Sequence, residues 1–323
     1  MSSPQVMLLS PLPPAALRNL EAHFEVLRCD ETVDRTAYLK EMGQKCRAVL
    51  LKGHVEFGEA ELKLLPNLEI AACSSAGVEA IDHDALLRAG ISLTNVSQAL
   101  KDEVADTALM LILAARKSLL SGDAYVRSGD WGKHGSYPLL STLKGKRAGI
   151  LGLGTIGQEI AARLAPMKIE IGYCTRRQRE VTFPYFPDAA ALATWCDILV
   201  VVVPGGQETK ALVNQEVLNK LGPDGTLINL ARGSVVDEIA LIDCLRDGQL
   251  GSAGLDVFQN EPHPDPALTS LPNVVLYPHH ASGTRETRDA MAQLAVENLF
   301  AHFNNHPLPT PVNSPSQPQR ILE

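Results

Sequence analysis

Residues 147–165 read RAGILGLGTIGQEIAARLA, an apolar run that meets three glycines in a G-x-G-x-x-G spacing and continues as a helix-forming stretch. Few local patterns constrain a chain more. The spacing has structural meaning where a strand feeds a turn and the turn opens a helix, and all three are present here. Gly152 permits the tight turn, Gly154 lets backbone approach a pyrophosphate, and Gly157 lets helix and strand pack closely. The first turn of the helix then offers unpaired N–H groups and a positive dipole end to phosphate. The segment therefore predicts one βα unit of a dinucleotide-binding parallel sheet.

The surroundings extend that sheet. After residue 146 six apolar runs, RAGILGLG, KIEIGYC, DILVVVVP, GTLINLA, AGLDVF and VVLYPHH, read as six strands with helices between most of them. Before residue 96 the runs VMLLS, FEVLRC, RAVLL, LEIAA and ISLTN alternate with helical segments such as PPAALRNLEAH and IDHDALLRAG. Strands this apolar suit parallel sheets covered on both faces. Two doubly wound α/β units result, and a chain of 323 residues is long enough for two domains. A long helix is expected from Lys101 to Leu119, with Asp102 and Glu103 in its first turn and Arg116 and Lys117 in its last. A final helix is expected from about Glu286 to Phe303. The last ten residues, SPSQPQRILE, read as a frayed end.

Composition narrows the ligands. The net charge of −8 argues against nucleic acid or an anionic membrane as partner, so any anion must meet a local positive site. Cys29, Cys46, Cys73, Cys174, Cys196 and Cys244 form no CxxC pair and lie mostly in or beside apolar runs. Reduced, buried thiols in a cytoplasmic protein are expected, without disulfides or metal. The opening MSSPQVMLLSPLPP lacks a basic n-region and reads poorly as a signal peptide. No run reaches the roughly 18 apolar residues of a membrane span.

Local positive sites appear where strands end. About 20 residues beyond the glycine loop an NAD site ordinarily carries an acidic residue for the ribose 2′-OH. GYCTRR has Thr175, Arg176 and Arg177 there, suited instead to a 2′-phosphate. NADPH is the expected cofactor, with NADH weaker. Its contacts would come from Gly152, Leu153, Gly154, Thr155, Ile156 and Gly157 of the loop. Thr175, Arg176 and Arg177 would join them, with Val203, Pro204, Ala231 and Asp256 at later strand ends, Asp256 toward the nicotinamide.

Three further polar residues follow strands. Arg232 comes after LINLA, Glu261 after AGLDVFQN and His279 after VVLYP. Ligands of open α/β sheets bind outside the carboxyl ends of strands, so the three can converge. Arginine clamps a carboxylate in two points, histidine moves a proton near neutral pH, and a neighbouring glutamate favours the imidazolium and fixes its tautomer. That set suits reduction of a 2-oxo acid, with His279 as general acid and Arg232 holding the carboxylate and polarising the carbonyl. His280 stands beside His279, but adjacent histidines space poorly for a metal.

These residues resemble the D-isomer-specific 2-hydroxyacid dehydrogenases. LGLGTIGQEIAARL, LINLARGSVVDEIALIDCL, AGLDVFQNEP and PHHASGTRETR look like the family's signature segments in order, and KDEVADTALMLILAARK looks like its inter-domain helix. The resemblance implies a substrate-binding domain of residues 1–99 and 284–323, with an inserted Rossmann domain of residues 100–283. It implies a homodimer, and Arg232, Glu261 and His279 as the catalytic set. CSSAGVEAID resembles the substrate loop, where the amides of Ala76 and Gly77 would hold the carboxylate. Within the family the chain is most similar to NADPH-preferring glyoxylate/hydroxypyruvate reductases, with hydroxyphenylpyruvate and 2-ketogluconate reductases close by. Two departures bear on the substrate. His280 stands where the family usually has an apolar residue, and Lys52 and His54 in LLKGHVEF add charge near the substrate loop, Lys52 as a candidate substrate contact. A dehydrogenase-like corepressor or cofactor-sensing scaffold is the alternative from another class. A phosphoglycerate dehydrogenase would want a regulatory domain and an acidic ribose contact, and neither is present.

Overall fold

The computed structural model describes residues 3–313, and the frayed end expected at 314–323 lies outside them. The described residues form two compact units: one takes the stretch up to Leu100 and the stretch from Gly283 on, the other is Lys101–Ser282.

The first unit is a five-stranded sheet of β1 (Gln5–Leu8), β2 (Glu25–Arg28), β3 (Cys46–Leu51), β4 (Ile70–Cys73) and β5 (Ser92–Thr94). Their order is β2-β1-β3-β4-β5, with every pair parallel. This is the flavodoxin-like winding, whose direction reverses between β1 and β3. Both faces are covered, so all four residues of β4 are buried and the runs are continuously apolar. The final helix, Arg285–Phe303, belongs to this unit. Its Phe300 ring lies 5.2 Å from Phe24, and its His302 Nε2 is 3.0 Å from Glu69, which Arg47 also pairs at 2.6 Å. Beyond the helix, Val312 N–H donates to the Leu93 carbonyl beside β5.

The second unit is a seven-stranded parallel sheet. It holds β6 (Arg147–Leu151), β7 (Glu170–Cys174), β8 (Tyr185–Phe186), β9 (Ile198–Val201), β10 (Thr226–Asn229), β11 (Ser252–Leu255) and β12 (Val274–Leu276). The order is β12-β11-β10-β9-β6-β7-β8, so the winding reverses between β6 and β9. One strand more than expected is present. β8 has two residues, both half-buried at the sheet edge, too short for a periodicity to mark.

The helix expected at Lys101–Leu119 runs Ser97–Arg116 instead. The Asn95 side chain accepts the Ser97 N–H at 3.3 Å and starts it early, while Ser118, at φ 45°, breaks it. Asp102 and Glu103 therefore stand in the second turn, beyond the strong part of the helix dipole, and Lys117 lies past the end. Asp102 pairs with Arg163 at 2.9 Å, and Arg163 also pairs with Asp106 at 2.6 Å and Glu159 at 3.0 Å. The Asp102 and Asp106 pairs dock the long helix against the helix Thr155–Leu164 that follows the glycine loop, and Glu159 holds Arg163 from within that second helix. Two short helices come next, Leu119–Arg127 and Asp130–His134, neither with a buried residue.

All six cysteines are free and buried. Among the described residues no helix is long and apolar enough to cross a membrane, and no cluster of His, Cys, Asp or Glu could hold a metal ion.

Candidate active site

The reversal between β6 and β9 opens a crevice at the carboxyl ends of those strands, and the glycine loop lies on it. Gly152 has φ 105°, and a Cβ there would stand 2.8 Å from the Val202 carbonyl oxygen. Both facts require glycine. A Cβ on Gly157 would collide with the Gly152 carbonyl oxygen, so loop and helix touch through backbone. Gly154 differs, since a Cβ there would meet nothing within 4 Å. The space beside it is open, and no side chain caps the ten-residue helix that begins at Thr155. Open room and uncapped N–H groups fit a pyrophosphate. Thr155, Ile156 and Val203 are half-buried beside this room, and Pro204 is exposed. Leu153 has no exposed surface and Ala231 only 4%, so neither offers a side chain to a dinucleotide, against the expectation from sequence.

The residues after β7 lie farther out. Thr175 is half-buried and its hydroxyl donates to the Arg177 carbonyl at 2.7 Å, while Arg176 and Arg177 are exposed. Arg176 pairs with Glu208 at 3.3 Å, both side chains more than four-fifths exposed. An exposed pair of this kind is worth little, so a phosphate can displace Glu208 readily.

Three successive strand ends bring Arg232, Glu261 and His279 together within this unit. Arg232 is half-buried after β10, its carbonyl accepting from Asn229 Nδ2 at 3.1 Å. The glutamate and histidine are joined directly, His279 Nδ1 lying 2.6 Å from Glu261 Oε2. The carboxylate can thus accept the Nδ1–H hydrogen bond, which leaves Nε2 as the ring nitrogen open to another partner. Glu261 Oε1 accepts the Phe258 N–H at 3.0 Å. Burial works to raise the Glu261 carboxyl, but the bonds from His279 and Phe258 and the charges of His279 and Arg232 outweigh it, and the net shift is downward. Glu261 is therefore a carboxylate at neutral pH.

Asp256, expected toward the nicotinamide, has a different visible task. It is 2% exposed, and its two oxygens accept the N–H groups of His280 and Ala281 at 2.7 and 3.1 Å. Its carbonyl accepts the His279 N–H at 2.7 Å. Asp256 thereby holds the turn in which His279 takes φ 49°, a left-handed conformation uncommon away from glycine. His280 is exposed, with its ring edge-on to Tyr277 at 5.9 Å. Sequence reasoning missed Glu238, whose buried carboxylate accepts the Gln259 N–H at 3.0 Å, because nothing in VVDEIA distinguishes it from an exposed first-turn acid.

Lys52, Ala76 and Gly77 come together in the other unit. Lys52 follows β3 at that sheet's own reversal, its N–H donating to Ser10 Oγ at 3.1 Å. A Cβ on Gly53 would collide with the Gly77 carbonyl oxygen, so the loops after β3 and β4 are in contact. Among the described residues nothing accepts from the N–H groups of Ala76 and Gly77, and nothing pairs with Lys52 Nζ. Two adjacent amide donors beside a lysine can hold a carboxylate. His54 is exposed.

Comparison with known proteins identifies the family. Residues 109–281 match the family described as D-isomer specific 2-hydroxyacid dehydrogenase, NAD binding domain. The chain is 39% identical to a 2-ketogluconate reductase of Gluconobacter oxydans (strain 621H), covering 96% of this chain and 99% of that one. It is 41% identical to a glyoxylate/hydroxypyruvate reductase of Arabidopsis thaliana, over 97% of this chain and 100% of that one. A solved structure of an NADPH-dependent glyoxylate/hydroxypyruvate reductase from Sinorhizobium meliloti, in complex with NADP and malonate, is similar with a TM-score of 0.87. Its identity is 37%, covering 99% of this chain and 100% of that one.

The downward shift of Glu261 has a consequence for stability. A carboxyl lowered on folding contributes stability that is present above its unfolded value, about 4.3, and is lost as pH falls through the folded value below it. Glu261→Gln removes that contribution. The melting-temperature gap between wild type and variant should shrink as pH falls from 5 toward 3. A gap independent of pH would show that the carboxylate is not held by its partners in solution.

Proposed function

The chain belongs to the D-isomer specific 2-hydroxyacid dehydrogenases, NAD(P)-dependent oxidoreductases, and from that premise we propose that it reduces small 2-oxo acids to D-2-hydroxy acids with NADPH. Glyoxylate and hydroxypyruvate are the first substrates to try, since relatives over nearly the whole chain carry those names. The observation that carries the reading is the His279–Glu261 bond at 2.6 Å, with the Arg232 cation acting on the same carboxylate.

In this reading the bound dinucleotide supplies the hydride to the carbonyl carbon. Arg232 clamps the substrate carboxylate and polarises the carbonyl. His279, as imidazolium, gives its Nε2 proton to the carbonyl oxygen as it becomes a hydroxyl. Glu261 holds Nδ1 and offsets the imidazolium charge. Lys52 and the Ala76 and Gly77 amides are carboxylate-binding groups. Six buried free thiols support a reducing, cytoplasmic setting.

Arg232→Lys separates a two-point clamp from a point charge, because it keeps the charge and loses the planar fork. Most glyoxylate and hydroxypyruvate activity should vanish, with a large rise in substrate KM and unchanged NADPH binding. His279→Ala should lower kcat by roughly 100–10,000-fold, and His280→Ala far less. Near-wild-type kinetics for Arg232→Ala would end this mechanism and favour a cofactor-sensing scaffold.

Preference for NADPH rests on Thr175, Arg176 and Arg177 in place of an acidic residue. Replacing both arginines with alanine should raise the NADPH KM by roughly 10–100-fold, since a charge-assisted contact is worth about 1.5–3 kcal/mol. The NADH KM should barely move. Equal wild-type rates with the two cofactors at the same concentration would overturn the assignment.

A homodimer is also proposed. Of twelve large hydrophobic side chains exposed among the described residues, seven lie between Met110 and Leu140, including Leu119, Leu120 and Trp131. Four of them, Leu119, Leu120, Val126 and Trp131, sit on the two short helices that bury nothing of their own. Apolar exposure concentrated in one stretch of chain suits an association surface. Sedimentation should give a dimer for wild type and a lighter species for Leu119→Asp with Leu120→Asp. A monomeric wild type at micromolar concentration would refute it.

A further inference from the structure

A buried carboxylate outside the trio needs a reason. Glu238 is 7% exposed, although it stands at the first position of the helix Glu238–Arg246, where an acidic residue can favour the helix dipole from the surface. Asp237, just before it, already caps the helix by accepting the Ala240 N–H at 3.2 Å. Burying a carboxylate is costly unless it is hydrogen-bonded. Glu238 Oε2 accepts the Gln259 N–H, and Gln259 lies in the loop that carries Glu261.

The surrounding contacts show what this bond controls. Glu238 follows the segment that carries Arg232 and Gly233. A Cβ on Gly233 would collide with the Phe258 carbonyl, so the Arg232 loop and the Glu261 loop touch through backbone. Phe258 N–H, one residue before Gln259, donates to Glu261 Oε1 at 3.0 Å, and Glu261 Oε2 holds His279 at 2.6 Å. Three hydrogen bonds, the first two joined covalently through Phe258, therefore lead from Glu238 to Glu261 and His279. The Glu238 end lies six residues along the chain from Arg232.

We infer that Glu238 is a positioning residue for the proposed active site: by fixing the Gln259 N–H it sets the spacing between Arg232 and the Glu261–His279 pair. It need not touch substrate or cofactor. The inference rests on the reductase reading for its kinetic consequences, but its geometric content does not. Misplacement of a reacting group by about 1 Å can cost on the order of 100-fold in rate. Glu238→Ala should accordingly lower kcat by roughly 10–100-fold and leave the NADPH dissociation constant within about threefold of wild type. Glu238→Gln keeps an acceptor oxygen and should restore most of the rate. In a Glu261→Gln background Glu238→Ala should add little, because the pair it positions is already broken.

The test combines steady-state NADPH oxidation with glyoxylate, thermal melts and an NMR titration of the His279 ring, on wild type, Glu238→Ala, Glu238→Gln, Glu261→Gln and the Glu238→Ala/Glu261→Gln double variant. The titration reports the site without needing turnover. Asp256 and Arg232, the other charged groups acting on the Glu261–His279 pair, are the same in all five proteins. The His279 midpoint in Glu238→Ala should move in the same direction as in Glu261→Gln, and Glu238→Gln should stay near wild type. A Glu238→Ala protein with wild-type kcat and His279 titration overturns the proposal, as does full additivity with Glu261→Gln. Should Glu238→Ala melt too low to assay, the comparison of Glu238→Gln with wild type still decides: a loss of rate as large as that of Glu261→Gln would overturn it. Failure of wild type to oxidise NADPH with any 2-oxo acid would count against the reductase reading alone, since the titration would still report on Glu238.

Discussion

Both units obey one constraint: a parallel strand can be reached only by a crossover that returns the chain to the same end of the sheet. Each crossover therefore delivers its next loop to the carboxyl edge, whatever the loop contains. Five strands in one unit and seven in the other multiply this effect. Arg232, Glu261 and His279 are separated by 28 and 17 residues of chain, yet follow three neighbouring strands, β10, β11 and β12. The parallel sheet makes them neighbours, and the reversal between β6 and β9 leaves the glycine loop at the same edge.

Adjacency of strand ends is still coarse on the scale of proton transfer. The finer alignment comes from carboxylates aimed at backbone N–H groups. Asp256 holds the peptides after His279, Glu261 binds the Phe258 N–H as well as the imidazole, and Glu238 holds the Gln259 N–H. Asp256 and Glu238 are buried, so each bond forms in low dielectric, where a satisfied polar group is rigidly held and an unsatisfied one is costly. The His279–Glu261 pair is comparatively open, with side-chain exposures of 47% for His279 and 32% for Glu261, as the proposed proton exchange with a substrate requires. A stiff buried support beneath an accessible pair is the arrangement a positioned acid needs.

Charge is distributed with the same economy. A protein of net charge −8 can attract an anionic cofactor and an anionic substrate only at local sites. The candidates are few: the uncapped helix at Thr155, the arginines after β7, Arg232, and Lys52 with the Ala76 and Gly77 amides. Each stands at or just beyond a strand end. Backbone N–H groups make up much of this set, and they carry partial positive charge with no side-chain entropy to lose.

Much of this was legible in the residues. Apolar runs alternating with helical stretches determined two parallel-sheet units, and G-x-G-x-x-G with its strand and helix determined where a dinucleotide would lie. Arg232, Glu261 and His279 could be picked out because polar residues after apolar strands are conspicuous. Three things were not legible. The two-residue β8 is too short to show a period. The start of the long helix depends on the Asn95 side chain, which no helical spacing announces, so Asp102 looked like a dipole partner when it is an Arg163 partner. Asp256 and Glu238 owe their tasks to backbone groups 25 and 21 residues away in sequence. The sequence by itself determined the element types, the winding and the chemistry available at the strand ends, because periodicity and residue type are local properties. Only the tertiary structure decided which carboxylate is buried, which N–H it holds and that His279 turns left-handed, because burial and hydrogen-bond partners are set by segments far apart in the chain.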